Sequence, residues 1–229
     1  MPADLPTTLQ ALSAAQTAAQ TAVEALATVA FALSGLLAAA RKRLDAVGVC
    51  VVAGLAAFGG GTLRDVLLDR RPFFWVQHAH WLWVLLAMCI AAMLFMRARH
   101  FAPTERAMQW PDALGLGLFT AVGTQIALAM GLPAIVAVLM GMITAVFGGV
   151  LRDVVCNDIP AAFSDHRPYA VCSFAGGWVL VGAQALAWSE GAALLAGAVT
   201  ATLLRGAALV SGWTLPAWRP GDESEPPRR

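Results

Sequence analysis

The chain predicts an all-α membrane protein of seven transmembrane helices, built as two inverted three-helix repeats plus a seventh helix. Composition comes first. Of 229 residues, 59% are hydrophobic and 13% charged, whereas a soluble domain carries about 25% charged residues. The second observation is length. The apolar residues gather into runs long enough to cross a bilayer, which takes roughly 20 residues per helix. Residues 81–96 lack the polar stripe that a helix in a soluble bundle keeps. The third is a gapless internal repeat at an offset of 88. Phe31–Pro72 laid on Phe119–Pro160 gives 13 identities in 42 positions, where roughly four would follow from composition.

In chain order, residues 1–22 are rich in Ala, Thr and Gln and form a lead-in, helical or loose. The first three-helix repeat occupies residues 23–110. Its spans cover 23–40, ending at Arg41-Lys42-Arg43, then a second from Leu44, interrupted at Gly59-Gly60-Gly61, and a third over 79–96. The second repeat occupies 111–190, with spans over 112–130, 133–150 and 168–188. The seventh helix lies within 191–212, and residues 213–229, rich in Pro and charge, form a disordered tail. Seven spans put the termini on opposite sides. With the N-terminus outside, eleven Arg and Lys fall in inner segments and three in outer ones, counting none inside a span. That bias predicts N-out and C-in, with a cytoplasmic tail.

An odd number of spans per repeat inverts the second copy. Transport proteins built so place their pathway at interrupted helices in matching positions. The glycines are Gly59, Gly60 and Gly61 in the first copy and Gly148 and Gly149 in the second. They weaken a helix by about 1 kcal/mol each relative to Ala, and a break there would have to face protein or water. Kinked second and fifth spans would then line an ion pathway and offer carbonyl oxygens to a cation. The competing use is close helix packing. Arg64-Asp65 and Arg152-Asp153 follow the glycines. They are vestibule charges, or interfacial salt bridges that fix the loop. Neighbours on a helix diverge by about 100°, so Arg and Asp of one motif need not pair, and a cross-repeat pair such as Arg64 with Asp153 is open.

Asp69, Asn157 and Asp158 precede prolines and read as turn caps. Arg205, alone in the seventh span, snorkels or meets a carboxylate, with Asp45 and Asp112 as candidates by depth. Thr124 and Gln125 are the polar residues of the fourth span and candidate pore-lining groups. Trp75, Trp81 and Trp83 form an aromatic belt. No metal site is read. His78 and His80 supply two ligands where a zinc site needs more, and no two of the four cysteines form a CxxC pair. No catalytic constellation, phosphate loop or cofactor motif is present, and a net charge of +1 gives no basic field for nucleic acid.

The runs Phe58–Val66 with Pro72, and Val146–Val154 with Cys156–Pro160, resemble the bacterial branch of the trimeric intracellular cation channel (TRIC) family. That domain is also labelled a glycine-transporter-type repeat. The resemblance extends over roughly 23–210. It implies seven helices, a homotrimer in membrane lipid and one pore per protomer for monovalent cations, chiefly potassium and sodium. Gly59–Gly61 match the first kink of that pore, and Gly148 and Gly149 the second, with Phe147 replacing its leading glycine. Family members often carry a basic residue after the position of Gly123. Here Ile126 and its neighbours are uncharged. The expectation is a monovalent cation channel of a bacterial inner membrane. The alternative is a secondary transporter for a small solute such as glycine.

Overall fold

The computed structural model describes residues 7–99 and 104–216, with side chains from residue 18 onward except at 96–99. Seven apolar helices form the bundle. They are α1 (Thr7–Arg41), α2 (Ala46–Leu67), α4 (His80–Arg99), α5 (Glu105–Ala129), α6 (Ala134–Val155), α8 (Ala170–Ala185) and α9 (Glu190–Ser211), with one-turn helices α3 (Phe74–Gln77) and α7 (Ala161–Ser164) between them. Five are long and apolar enough to span a membrane by length and composition, and α4 and α8 contribute shorter apolar stretches.

Local chemistry explains most boundaries. Asp45 caps α2 by accepting from the Gly48 amide at 2.8 Å, Thr104 caps α5 through Ala107, and Ser189 caps α9 through Ala192. At the far ends of α2 and α6, Asp69 and Asn157 take left-handed φ of 50° and 56°, which Asp and Asn tolerate best after Gly. The next amides, of Arg70 and Asp158, fold back onto the carbonyls of Asp65 and Asp153 at 2.8 and 2.9 Å. Helix α9 ends on Gly212 at φ 68°.

Some boundaries differ from the sequence reading. The lead-in from Thr7 to residue 22 is continuous with the first span as one 35-residue helix. The fourth span begins at Glu105, ahead of Pro111, because neighbouring helices stabilise a proline inside a membrane helix. The expected interruptions do not occur either. Helix α2 runs unbroken through Gly59–Gly61, and α6 through Gly148 and Gly149. Most of the predicted tail, residues 217–229, lies outside the described residues; 213–216 are non-helical.

Helices α1 and α5 are the most enclosed, with 78% of their spanning windows buried against 39% for α2, α6 and α9. They pack on each other. Helix α2 packs on α1, α6 on α5, and α2 and α6 on each other; α4 lies on α2 and α1, α8 on α6 and α5, and α9 on α8 and α5. Phe31 and Phe119, 88 positions apart, stack on each other with centroids 5.5 Å apart. Residues related by the repeat therefore meet near a local twofold axis.

Candidate functional site

The glycine motifs sit where α2 meets α6. A Cβ on Gly60 would be driven into the Thr144 carbonyl, and one on Gly148 into the Ala56 carbonyl. Ala56 and Thr144 are again 88 apart, so one contact is made twice from opposite sides, and the helices run antiparallel. Gly35 and Gly123 repeat the pattern, the first against the Cα of Ala53 at 2.7 Å and the second against that of Gly141 at 2.9 Å, measured from the Cβ each would carry. Glycine serves here because two backbones approach with no room for a side chain. The carbonyls of Ala56 and Thr144 face the opposite helix, not a lumen.

Six residues beyond the midpoint of these two contacts, which falls at Phe58 and Val146, or about 9 Å of helix, stands the arginine of each motif. The two lie on opposite sides of it, about 18 Å apart, within the roughly 30 Å of bilayer hydrocarbon. Arg64 is fully buried and donates to Glu24 at 2.8 Å and to Asp65 at 2.9 Å. Arg152 donates to Asp112, to the hydroxyl of Ser34, and to Asp153 at 2.8 Å. Each arginine thus pairs with its own neighbouring aspartate and with an acid of its own repeat. The cross-repeat pair does not form. Glu24 and Asp112 are 88 positions apart, so the second acid belongs to the duplication too. Each cluster sets two carboxylates around one buried guanidinium, an attraction for a cation in low-dielectric surroundings that Arg70 offsets at the Arg64 end. Nη1 of Arg64 has no hydrogen-bond partner among the described residues.

The second carboxylate oxygens organise the loops. Asp65 accepts from the amide of Phe74 at 3.2 Å, and Asp153 from that of Ala161 at 2.9 Å, fastening α3 and α7. Arg70 closes over Asp65 at 3.1 Å. At the Arg152 end the network continues outward. Tyr169 donates its hydroxyl to Asp112 at 2.7 Å, and the guanidinium of Arg205 lies 4.8 Å above the tyrosine ring. Arg205 also donates to Asp165 at 3.2 Å and to the Pro168 carbonyl at 3.0 Å. Its partner is therefore Asp165, not Asp45 or Asp112. Burial pushes the Asp165 carboxyl up, but hydrogen bonds from Arg167 and Arg205 outweigh it and hold the group below its ordinary value. Two adjacent hollows open beside this end, of about 250 and 520 Å³, both lined by Arg41, Met108, Asp153 and Asp158.

Thr124 and Gln125 stand apart from the charged clusters. The Thr124 hydroxyl is buried against Gly141 and Gly177 without a hydrogen-bond partner among the described residues, and the Gln125 amide donates to Glu190 at 3.3 Å. Glu24 was missed from sequence as a site residue, and Asp112 was considered only for Arg205. Extending the repeat seven residues upstream of Phe31 and Phe119 reaches both.

The family model described as "Glycine transporter" matches residues 21–97 and 109–185. A "UPF0126 membrane protein" of Vibrio cholerae is 35% identical over 200 residues, covering 86% of this chain and 81% of that protein. "UPF0126 inner membrane protein YadS" of Escherichia coli is 35% identical over 157 residues, covering 69% and 75%. Among solved structures, a TRIC trimeric intracellular cation channel orthologue from Rhodobacter sphaeroides superposes with a TM-score of 0.77 at 32% identity, over 85% of this chain and 98% of the other. A prokaryotic TRIC channel crystallised in 0.5 M KCl gives 0.78 at 25% identity, over 86% and 98%.

Proposed function

Since the chain belongs to the family described as Glycine transporter and shares the fold of TRIC cation channels, we propose that it is a monovalent cation channel of a bacterial inner membrane. It assembles as a homotrimer with one path in each protomer. The observation that carries this reading is the pair of buried clusters, Glu24–Arg64–Asp65 and Asp112–Arg152–Asp153, each with two carboxylates around one arginine, set on either side of the α2–α6 crossing. A cation is drawn to each carboxylate pair, while the arginine limits how tightly it is held, so that it can leave again. The path runs from the hollow beside Asp153, past the crossing at Gly59–Gly61, Gly148 and Gly149, to Asp65. With α2 and α6 in backbone contact, this conformation is closed, and opening requires the two helices to part.

The basic-residue count supports an N-terminus outside and a C-terminus in the cytoplasm, with the Arg152 end inward. Residues 23–110 and 111–190 are the two repeat units, followed by the seventh helix. A glycine transporter would meet the substrate carboxylate with a half-helix N-terminus. Here α2 and α6 are unbroken, and each buried arginine already faces two carboxylates, which repel an anionic group.

The test is single-channel recording of the purified protein in a planar bilayer under a potassium gradient. Discrete openings that reverse near the potassium equilibrium potential are expected. A silent bilayer, with saturable glycine uptake into liposomes by the same preparation, would overturn the channel in favour of the transporter.

A further inference from the structure

The two clusters differ in how their carboxylate oxygens are satisfied. Asp65 accepts from Arg64 and Arg70 on Oδ1 and from the Phe74 amide on Oδ2. Asp153 accepts from Arg152 on Oδ1 and from the Ala161 amide on Oδ2. Asp112 accepts from Arg152 on Oδ1 and from the Tyr169 hydroxyl on Oδ2. Glu24 accepts from Arg64 on Oε1 at 2.8 Å, and its Oε2 accepts nothing from the described residues. Three acids are thus engaged on both oxygens. The fourth keeps one oxygen idle, on a side chain only 8% exposed.

The duplication explains the gap. Tyr169 corresponds to position 81, where a tryptophan stands with its buried indole N–H unpartnered among the described residues. Ser34 takes an N–H of Arg152 and lies 3.5 Å from Oδ1 of Asp112. It corresponds to position 122, a valine in the same apolar cluster as Val23. The hydroxyls that complete the Arg152 cluster therefore have no counterpart at the Arg64 end. A buried acceptor left without a partner is costly, and a cation can fill the place of the missing donor, since carboxylate oxygens are the usual ligands of hard cations.

We propose that Oε2 of Glu24 is the point at which a potassium or sodium ion binds within each protomer, while the Arg152 cluster attracts the ion by its field without coordinating it. This rests on the channel reading above. One carboxylate oxygen beside a guanidinium suits a monovalent ion, whereas calcium gathers roughly six to eight oxygens. Loss of a unit charge about 4 Å from the ion weakens its binding about fivefold even in the dielectric of water.

The experiment unfolds the purified full-length protein thermally in detergent at constant total salt, with potassium chloride replaced stepwise by choline chloride. The methyl-covered choline cation cannot present its charge to a buried oxygen. An ion that binds only the folded protein raises the midpoint as its concentration rises. The unaltered protein is expected to unfold at a higher temperature in potassium. Glu24→Gln, which keeps an acceptor for Arg64, is expected to lose that difference. In planar bilayers the same variant is expected to raise the potassium concentration that half-saturates the conductance by about fivefold or more. Tyr169→Phe strips the donor from Oδ2 of Asp112 without changing any charge. It opens a second carboxylate oxygen and is expected to steepen the potassium dependence of the midpoint, whatever its own stability. A midpoint indifferent to potassium in the unaltered protein, an equal rise in Glu24→Gln, or no steeper dependence in Tyr169→Phe overturns the inference and leaves water as the partner of Oε2. Potassium-dependent stability that is lost in Glu24→Gln, together with a silent bilayer, supports the site and strikes the channel reading beneath it.

Discussion

Replacing Gly60 with alanine tests the crossing directly. Two effects oppose each other. Alanine favours an exposed helix interior over glycine by about 1 kcal/mol. Against that, the new methyl would enter the Thr144 carbonyl of the facing helix. A backbone group cannot rotate aside, so α2 and α6 must separate. Overpacking of this kind costs about 3 kcal/mol at the upper end of its usual range. The net loss is about 2 kcal/mol, or about 4–8 °C in unfolding midpoint for a chain of this size. Gly148→Ala meets the Ala56 carbonyl and should lose as much. The double variant should lose clearly less than the sum, since one separation of the helices relieves both clashes. Gly54→Ala, in the same helix, is the control: its methyl meets only Leu85 Cδ2 at an ordinary 3.5 Å, and no loss is expected. Thermal unfolding in detergent, followed by intrinsic fluorescence, measures all four. A Gly60→Ala protein as stable as its parent would refute the argument that close backbone approach is what requires glycine there.

Three further outcomes follow from the charged clusters. Arg152→Met leaves Asp112 and Asp153 buried without their cation and should destabilise by about 3–5 kcal/mol, read as a fall in yield of folded protein on size-exclusion chromatography. Tyr169→Phe removes the hydroxyl that binds Asp112 but keeps the ring under Arg205. It should lose about 1.5–3 kcal/mol, and Tyr169→Leu more, by the same unfolding assay. The Asp165 carboxyl titrates below its ordinary value of about 3.9 when folded. Its contribution to stability is therefore complete above about pH 4 and lost as pH falls through the folded value. Unfolding midpoints of parent and Asp165→Asn should differ at neutral pH and converge below pH 4; a gap that persists undiminished at pH 3 would contradict this.

The offset of 88 was legible in the sequence, and with it the seven-helix plan and the positions of Arg64, Asp65, Arg152 and Asp153. Their partners were less so. The aligned stretch starts at Phe31, while Glu24 and Asp112 lie two helical turns earlier, just ahead of identities at Ala25 and Ala113 and at Leu26 and Leu114, and differ by a methylene. Their pairing with the arginines appears only once the helix brings them together. The glycines were ambiguous for another reason. A run of Gly permits a helix to break or to approach another closely, and what decides is the residue opposite. Thr144 and Ala56 present their backbone carbonyls to the facing helix, and no local pattern announces that. Arg205 found Asp165 in a loop, beyond the reach of an argument from depth alone.

The charge pairing also bears on how the chain is made. Glu24 precedes Arg64, Asp112 precedes Arg152, and Asp165 precedes Arg205. As the polypeptide leaves the ribosome and enters the bilayer, each arginine destined for the interior arrives after an acid that will neutralise it. Neither repeat has to borrow a countercharge from the other. Each half can settle in lipid on its own schedule, and the halves of a chain severed between α4 and α5 would each insert with their internal charges already matched.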